Sequence, residues 1–233
     1  MTQRSILAGE TPTVIIKVGG SVTVRGQAGD RVVAETSNAW GLQVEKGQGN
    51  GREIARARAK AGEHVLFDVR VRLPSLGEEP PIQDFIQVQM GGGGEVLVPY
   101  GANVKVYAGL HIDVHDLRGQ VDAFAGGRVV MHDVDSLGNA SAGGSMDLDC
   151  RSLPAQNAEF KAGSDIRFRV HDLTSASIRV KDLGGYWEAQ IGDGEKSVYL
   201  KCGGDVTLVT DQIVRALPPN YILGKVETPP SAS

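Results

Sequence analysis

Residues 108–144 read AGLHIDVHDLRGQVDAFAGGRVVMHDVDSLGNASAGG. Ala108-Gly109-Leu110, Ala125-Gly126-Gly127 and Ala142-Gly143-Gly144 recur there at equal spacing, and His115-Asp116-Leu117 and His132-Asp133-Val134 recur in step with them. Between the markers, apolar and polar residues alternate, as in Ile112, Val114 and then Val121, Ala123, Ala125. A period of two sends one set of side chains inward and the other to solvent, as in a half-buried strand. One unit is therefore a short strand, an x-Asp-Leu/Val corner, a second short strand and an Ala-Gly-Gly turn. A meander has no reason to repeat its turn chemistry at a fixed phase, whereas stacked units do.

The markers continue outward from this stretch. Ala162-Gly163-Ser164 follows Ala142 at a slightly longer interval, and Cys202-Gly203-Gly204 follows Ala162 at twice that longer interval, which reads as two units. His171-Asp172-Leu173 and Lys181-Asp182-Leu183 extend the corner marker, and the unit around Cys150-Arg151-Ser152-Leu153 lacks it. Alternation also marks Val104/Val106, Met146/Leu148/Cys150, Ile166/Phe168/Val170, Ile178/Val180, Val198/Leu200/Cys202 and Val206/Leu208. A unit this small cannot close its own core. Stacking units at about 4.8 Å buries the inward faces continuously, and glycines at the turns supply left-handed bends. The expected fold is all-β, a β-solenoid (parallel β-helix) of 17–20-residue rungs, with an antiparallel meander or sandwich as the alternative. The repeats are expected over 84–212, an irregular N-terminal β region or cap over 1–83, and a C-terminal cap and loose tail over 213–233. Within the first part, Val22/Val24 and Val65 to Val71 read as strands, and Ile54 to Ala61 fits a strand or a short helix.

Composition narrows the functional classes. The formal net charge is -4 over 233 residues, which predicts neither nucleic-acid nor membrane-surface binding. The N-terminal residues carry no apolar run of leader length, and no later stretch reaches a membrane span, so a cytoplasmic protein is expected. Cys150 and Cys202 form neither a disulfide framework nor a CxxC pair. Each ends an alternating run, and stacking places them several rungs apart, so both are expected as free, buried thiols.

The Gly-Gly-x-Val/Ile-x-Val pattern, the x-Asp-Leu/Val corner and the segments 180–188 (VKDLGGYWE) and 202–210 (CGGDVTLVT) resemble bacterial adhesin-like β-repeat domains of unknown function. The resemblance covers residues 84–212 and, more weakly, 14–46. It implies a β-helical fold and a cell-surface role. In architecture the chain is also similar to bactofilins, β-helices that polymerise end to end.

Four side-chain groups are candidate sites. His115, His132 and His171 occupy equivalent places in the repeat, and His111 and Asp113 share the outward face of His115. Such a row could hold a transition metal, although an exposed polar ladder explains it as well, and no metal site is assigned. Asp113, Asp116, Asp122, Asp133, Asp135, Asp147 and Asp149 could form the carboxylate cluster of a polysaccharide-acting enzyme, but they follow the alternation of a solvated face. The basic residues Arg52, Arg56, Arg58, Lys60, Arg70 and Arg72 lack interleaved aromatics for base stacking. Trp40 and Trp187 could stack on sugars, with packing the plainer reading for Trp187. No nucleophile elbow or phosphate loop is present, and no cofactor and no catalytic residue are assigned.

These readings favour a non-enzymatic structural protein that assembles with itself through solenoid ends or faces into filaments or homo-oligomers. The alternatives are an adhesin-like scaffold displaying a flat face to a protein or glycan and, third, a β-helix enzyme.

Overall fold

The computed structural model describes residues 1–37, 41–49, 58–61, 64–68, 83–153, 157–171, 176–183, 185–191, 196–209, 215–217 and 226–227. Among these residues there is no helix, and all regular structure is β. In chain order the first strands are β1 (Thr2–Leu7), β2 (Thr13–Val18), β3 (Val22–Gln27), β4 (Arg31–Thr36) and β5 (Gln43–Gly49). Next come β6 (Arg58–Ala61) and β7 (His64–Asp68), a separate antiparallel pair. The central strands are β8 (Gln83–Met90), β9 (Gly94–Pro99), β10 (Asn103–Ala108), β11 (Ile112–Ala125), β12 (Val129–Ala142), β13 (Met146–Ser152), β14 (Ala158–Ala162) and β15 (Ile166–Val170). The last are β16 (Ala176–Asp182), β17 (Gly185–Ile191), β18 (Lys196–Cys202), β19 (Val206–Val209), β20 (Arg215–Leu217) and β21 (Val226–Glu227).

The strands form two ladders. The first runs β8, β2, β10, the C-terminal half of β11, that of β12, β14, β18 and β16, with every pairing parallel. The second runs β9, β3, the N-terminal half of β11, that of β12, β13, β15 and β19, again parallel throughout. The chain alternates between the ladders. The long strands β11 and β12 cross from one to the other and join both into a 19-stranded hydrogen-bonded network. Inward side chains from both ladders, among them Val106, Val114, Met131, Leu148, Phe160, Phe168 and Leu200, form one continuous apolar cluster. The alternation in the sequence is thus the division between this core and the two outer faces.

The turn marker reports a real column. Met90, Val18, Ala108, Ala125, Ala142, Ala162 and Cys202 lie side by side on successive strands. The glycine that follows extends the ladder through the turn, as in Gly126 N–H donating to the Ala108 carbonyl at 3.1 Å and Gly143 N–H to that of Ala125 at 3.0 Å. These turn glycines do not have positive φ, which among described glycines belongs to Gly9, Gly29, Gly41 and Gly185. Their requirement is space: a Cβ on Gly109, Gly126, Gly143, Gly163 or Gly203 would overlap the carbonyl oxygen of the glycine one strand earlier. The left-handed bends belong instead to the corner residues Asp116 (φ 57°) and Asp133 (φ 52°), a conformation that Asp tolerates better than most side chains.

Three sequence expectations are corrected by the pairing. Ala162 pairs directly with Cys202, so the double interval between them spans one step of the ladder, not two. The intervening β16 lies on the far side of β18 and turns back through β17, so Lys181-Asp182-Leu183 is no corner. His171 is not equivalent to His115 and His132, because Val170 pairs with Cys150 and Cys150 with Val134, which places His171 after the corner position that the other two precede. The pairing also sets β2 and β3 between the strand pair β8–β9 and the strand pair β10–β11, so part of the region 1–83 lies inside the stack.

Candidate functional site

The sequence nominates no catalytic constellation, so the candidate surfaces are the two outer faces. On the second ladder the outward row near the corner runs Arg25, His115, His132, Asp149 and Arg169. Arg25 pairs with His115, His115 with His132 and Asp149 with Arg169. The imidazoles of His115 and His132 stack with centroids 5.7 Å apart and planes at 26°. Stacked rings turn their faces to each other and do not aim two nitrogens at one point. His111 Nδ1 accepts the backbone N–H of Arg128 at 3.0 Å, which occupies that lone pair. His171 Nε2 lies 2.7 Å from Asp149 Oδ1. These histidines therefore serve separate contacts, and among the described residues no group of three or more His, Cys, Asp or Glu side chains is placed to hold a metal ion.

The aspartates are dispersed in the same way. Asp116 and Asp133 form the corners. Asp122 accepts the Asn139 N–H at 2.8 Å and lies 4.0 Å from Lys105. Arg151 bridges Asp133 at 3.7 Å and Asp135 at 3.3 Å, and Arg169 meets Asp149 at 3.4 Å. Asp113 and Asp147 stand half-buried on the outward face, where Asp147 pairs in register with Arg167. Arg25 and Glu95 bridge at 3.1 Å. Several charges of this face are thus matched by an opposite charge on a neighbouring strand.

The first ladder's outer face differs, and its residues are the ones that the motif reading passed over. The residue before each turn marker points outward, and the row reads Lys17, Tyr107, Phe124, Ser141, Lys161, Lys201, Lys181, Tyr186 across neighbouring strands. Tyr107 and Phe124 stack at 5.1 Å and 16°, and Lys105 Nζ lies 5.7 Å from the Phe124 centroid. Lys161, Lys201 and Lys181 stand opposite one another on three successive strands. Lys181 Nζ sits 4.9 Å over the Tyr186 ring, and its hydrogen bond to that tyrosine raises its pKa above the ordinary lysine value. Burial lowers that of Lys17. The signal for this row was present in the sequence, one position before every Ala-Gly marker. Alternation separates inward from outward positions but does not rank the outward ones.

Cys150 and Cys202 are free and buried, on the second and first ladder respectively. Burial, with the Asp149 charge adding to it, pushes the Cys150 thiol up to about 12, and burial also raises that of Cys202. Arg58 and Lys60 fall on β6, and Trp187 falls on β17, which pairs with β16 and β20. Trp40, Arg52, Arg56, Arg70, Arg72, the side chain of Trp187 and most of residues 213–233 lie outside the described residues.

No family model matches the chain, and no curated protein matches it. Among solved structures, it is similar to that of a candidate cell adhesion protein from Clostridium sporogenes, with TM-score 0.42 and 8% identity, over 89% of this chain and 98% of that one.

Proposed function

We propose that the chain is a non-enzymatic β-solenoid that acts as a display or scaffold module, presenting a flat outer face to a partner molecule. The solenoid reading is supported by the parallel pairing of successive strands in both ladders, which keeps Ala108, Ala125, Ala142, Ala162 and Cys202 in one column. The observation that carries the display reading is how the stack ends. β5 pairs antiparallel on β8, and β4 on β9 with β1 beyond it. At the other end β17 pairs antiparallel on β16, with β20 beyond it. The remaining ladder end carries the short parallel strand β21 on β19. A reversed strand interrupts the parallel register that an identical copy would continue, so the ladder cannot be extended end to end in the same way. The faces, not the ends, then remain as the surface for recognition. The aspartates support the non-enzymatic part of the reading, since most of them are engaged in corners, backbone hydrogen bonds and ion pairs.

Self-assembly is the second reading. It is favoured by the outer edge of β1, which pairs with no described strand beyond β4. Size-exclusion chromatography with light scattering, followed by negative-stain microscopy, separates the two. The display module elutes as a monodisperse particle at any concentration. Filaments or concentration-dependent growth would remove the capped-end argument.

A further inference from the structure

The outward row of the first ladder sets three like charges side by side. Like charges directly opposite on neighbouring strands destabilise a sheet, and the second ladder matches several of its charges across strands, with Arg25–Glu95, Asp149–Arg169 and Asp147 opposite Arg167. Lys161, Lys201 and Lys181 nonetheless face one another in register. Lys161 is offset by Glu159 on its own strand at 2.9 Å, and Lys181 leans on Tyr186. Lys201, exposed between them, has neither arrangement among the described residues. Arg179 lies in the adjacent row between Tyr199 and Glu188, and Glu188 offsets it. The chain as a whole carries a formal charge of -4, so the excess of positive charge in the lysine row is, among the described residues, a local property of this face.

The row also has a shape. Phe124 stacks on Tyr107, so the other side of its ring turns toward Ser141 on the next strand, the smallest side chain in the row. The result is an aromatic wall, a shallow step over Ser141, three ammonium groups and then the exposed ring of Tyr186, 56% accessible. At a strand spacing of about 4.8 Å, the three lysines span roughly 10 Å and the path from Phe124 to Lys181 roughly 19 Å.

We propose that this row is a docking track for a linear acidic glycan lying across the strands. Its carboxylates or sulfates would sit on Lys161, Lys201 and Lys181, and its sugar rings over Ser141 against Phe124 and at Tyr186. The proposal rests on the display reading and names the class of partner for that face. A stiff polyuronate carries its charges at a regular pitch comparable to the strand spacing that sets this lysine row, and it offers the apolar side of each ring to an aromatic. Nucleic acid fits less well, because its recognition favours a series of open aromatic faces and forked Arg contacts to phosphate, whereas lysine supplies point charges.

The test uses the full chain and polygalacturonate as the probe, with neutral dextran and single-stranded oligothymidylate as comparisons, in affinity electrophoresis and titration calorimetry at low and at physiological ionic strength. The expected result is salt-sensitive binding to polygalacturonate and none to dextran. Lys201→Glu should weaken it about tenfold, while Arg128→Glu, in an exposed turn, leaves it unchanged, with circular-dichroism melts confirming that both variants fold. Three results would overturn the track: no retardation of the wild type by polygalacturonate, equal binding by Lys201→Glu, or equal or tighter lysine-dependent binding of the oligothymidylate. Light scattering on the same sample keeps the two readings apart. Monodisperse particles that ignore the probe sink the track alone, whereas filaments sink the display reading.

Discussion

Cys150 shows how a single side chain ties the core to solution conditions. It is fully buried, its Sγ lies 3.7 Å from the Arg169 carbonyl, and burial pushes the thiol up to about 12. The folded state therefore holds this proton where the unfolded chain releases it. Its contribution is complete below the ordinary thiol range and is lost as pH climbs toward 12, because there the unfolded state binds fewer protons than the folded one. In urea unfolding at alkaline pH, between the ordinary thiol range and the raised one, the wild type should lose stability by up to about 1.4 kcal/mol per pH unit from this group, and Cys150→Ala should lack that component. Parallel slopes for the two proteins would show that the thiol is hydrated. At this scale the sequence was partly legible. Alternation placed Cys150 inward, because period-two patterning reports a face directly. The roles of Asp116 and His171 were not legible. A left-handed Asp and a change of phase are backbone events, and the letters His-Asp-Leu look the same on either side of them.

An element here is one strand plus its turn, and the turn sets how closely elements approach. Gly143 and Gly144 are adjacent but do different work. A Cβ on Gly143 would overlap the carbonyl oxygen of Gly126, whereas one on Gly144 would meet the nearest atom, Gly127 O, at 3.3 Å. Gly143→Ala should cost about 2 kcal/mol or more, the scale of forced overpacking, and Gly144→Ala less than half of that. Both are measurable as shifts in urea midpoint at constant slope. Equal costs would mean that the column of glycines reflects backbone freedom and not close approach. The equal spacing of the markers was enough to predict that Ala125 and Ala142 are neighbours, and they are. The double interval from Ala162 to Cys202 misled because periodicity counts residues along the chain, whereas pairing counts strands. The hairpin of β16 and β17 adds residues without adding a step between β14 and β18.

Across the whole molecule, the placement that no local pattern predicts is β2–β3, inserted between strand pairs that come much later in the chain. Val14 pairs on one side with Ile86 and on the other with Val104. Nothing in residues 13–27 distinguishes a strand at the end of a stack from one inside it, since both need the same alternation; only the partners differ, and they are tertiary. The placement has an energetic consequence. Val14, Ile16, Val22, Val24 and Val32 are each at most 3% exposed, and burying a side chain of that size contributes about 1.5–3 kcal/mol. Their sum is comparable to the whole stability of a typical domain, about 5–15 kcal/mol. Removing residues 1–37 should therefore abolish most of the cooperative unfolding transition, because it withdraws two strands that are paired on both sides. Ending the chain at residue 209 removes β20 and β21, which lie at the outer margin of the ladders, and should leave a cooperative transition in place. Thermal melts of the two truncated chains, followed by circular dichroism, give the comparison. If the chain lacking residues 1–37 melts as sharply and at the same temperature as the intact protein, then β2 and β3 are an outer cover and the rest of the stack closes without them.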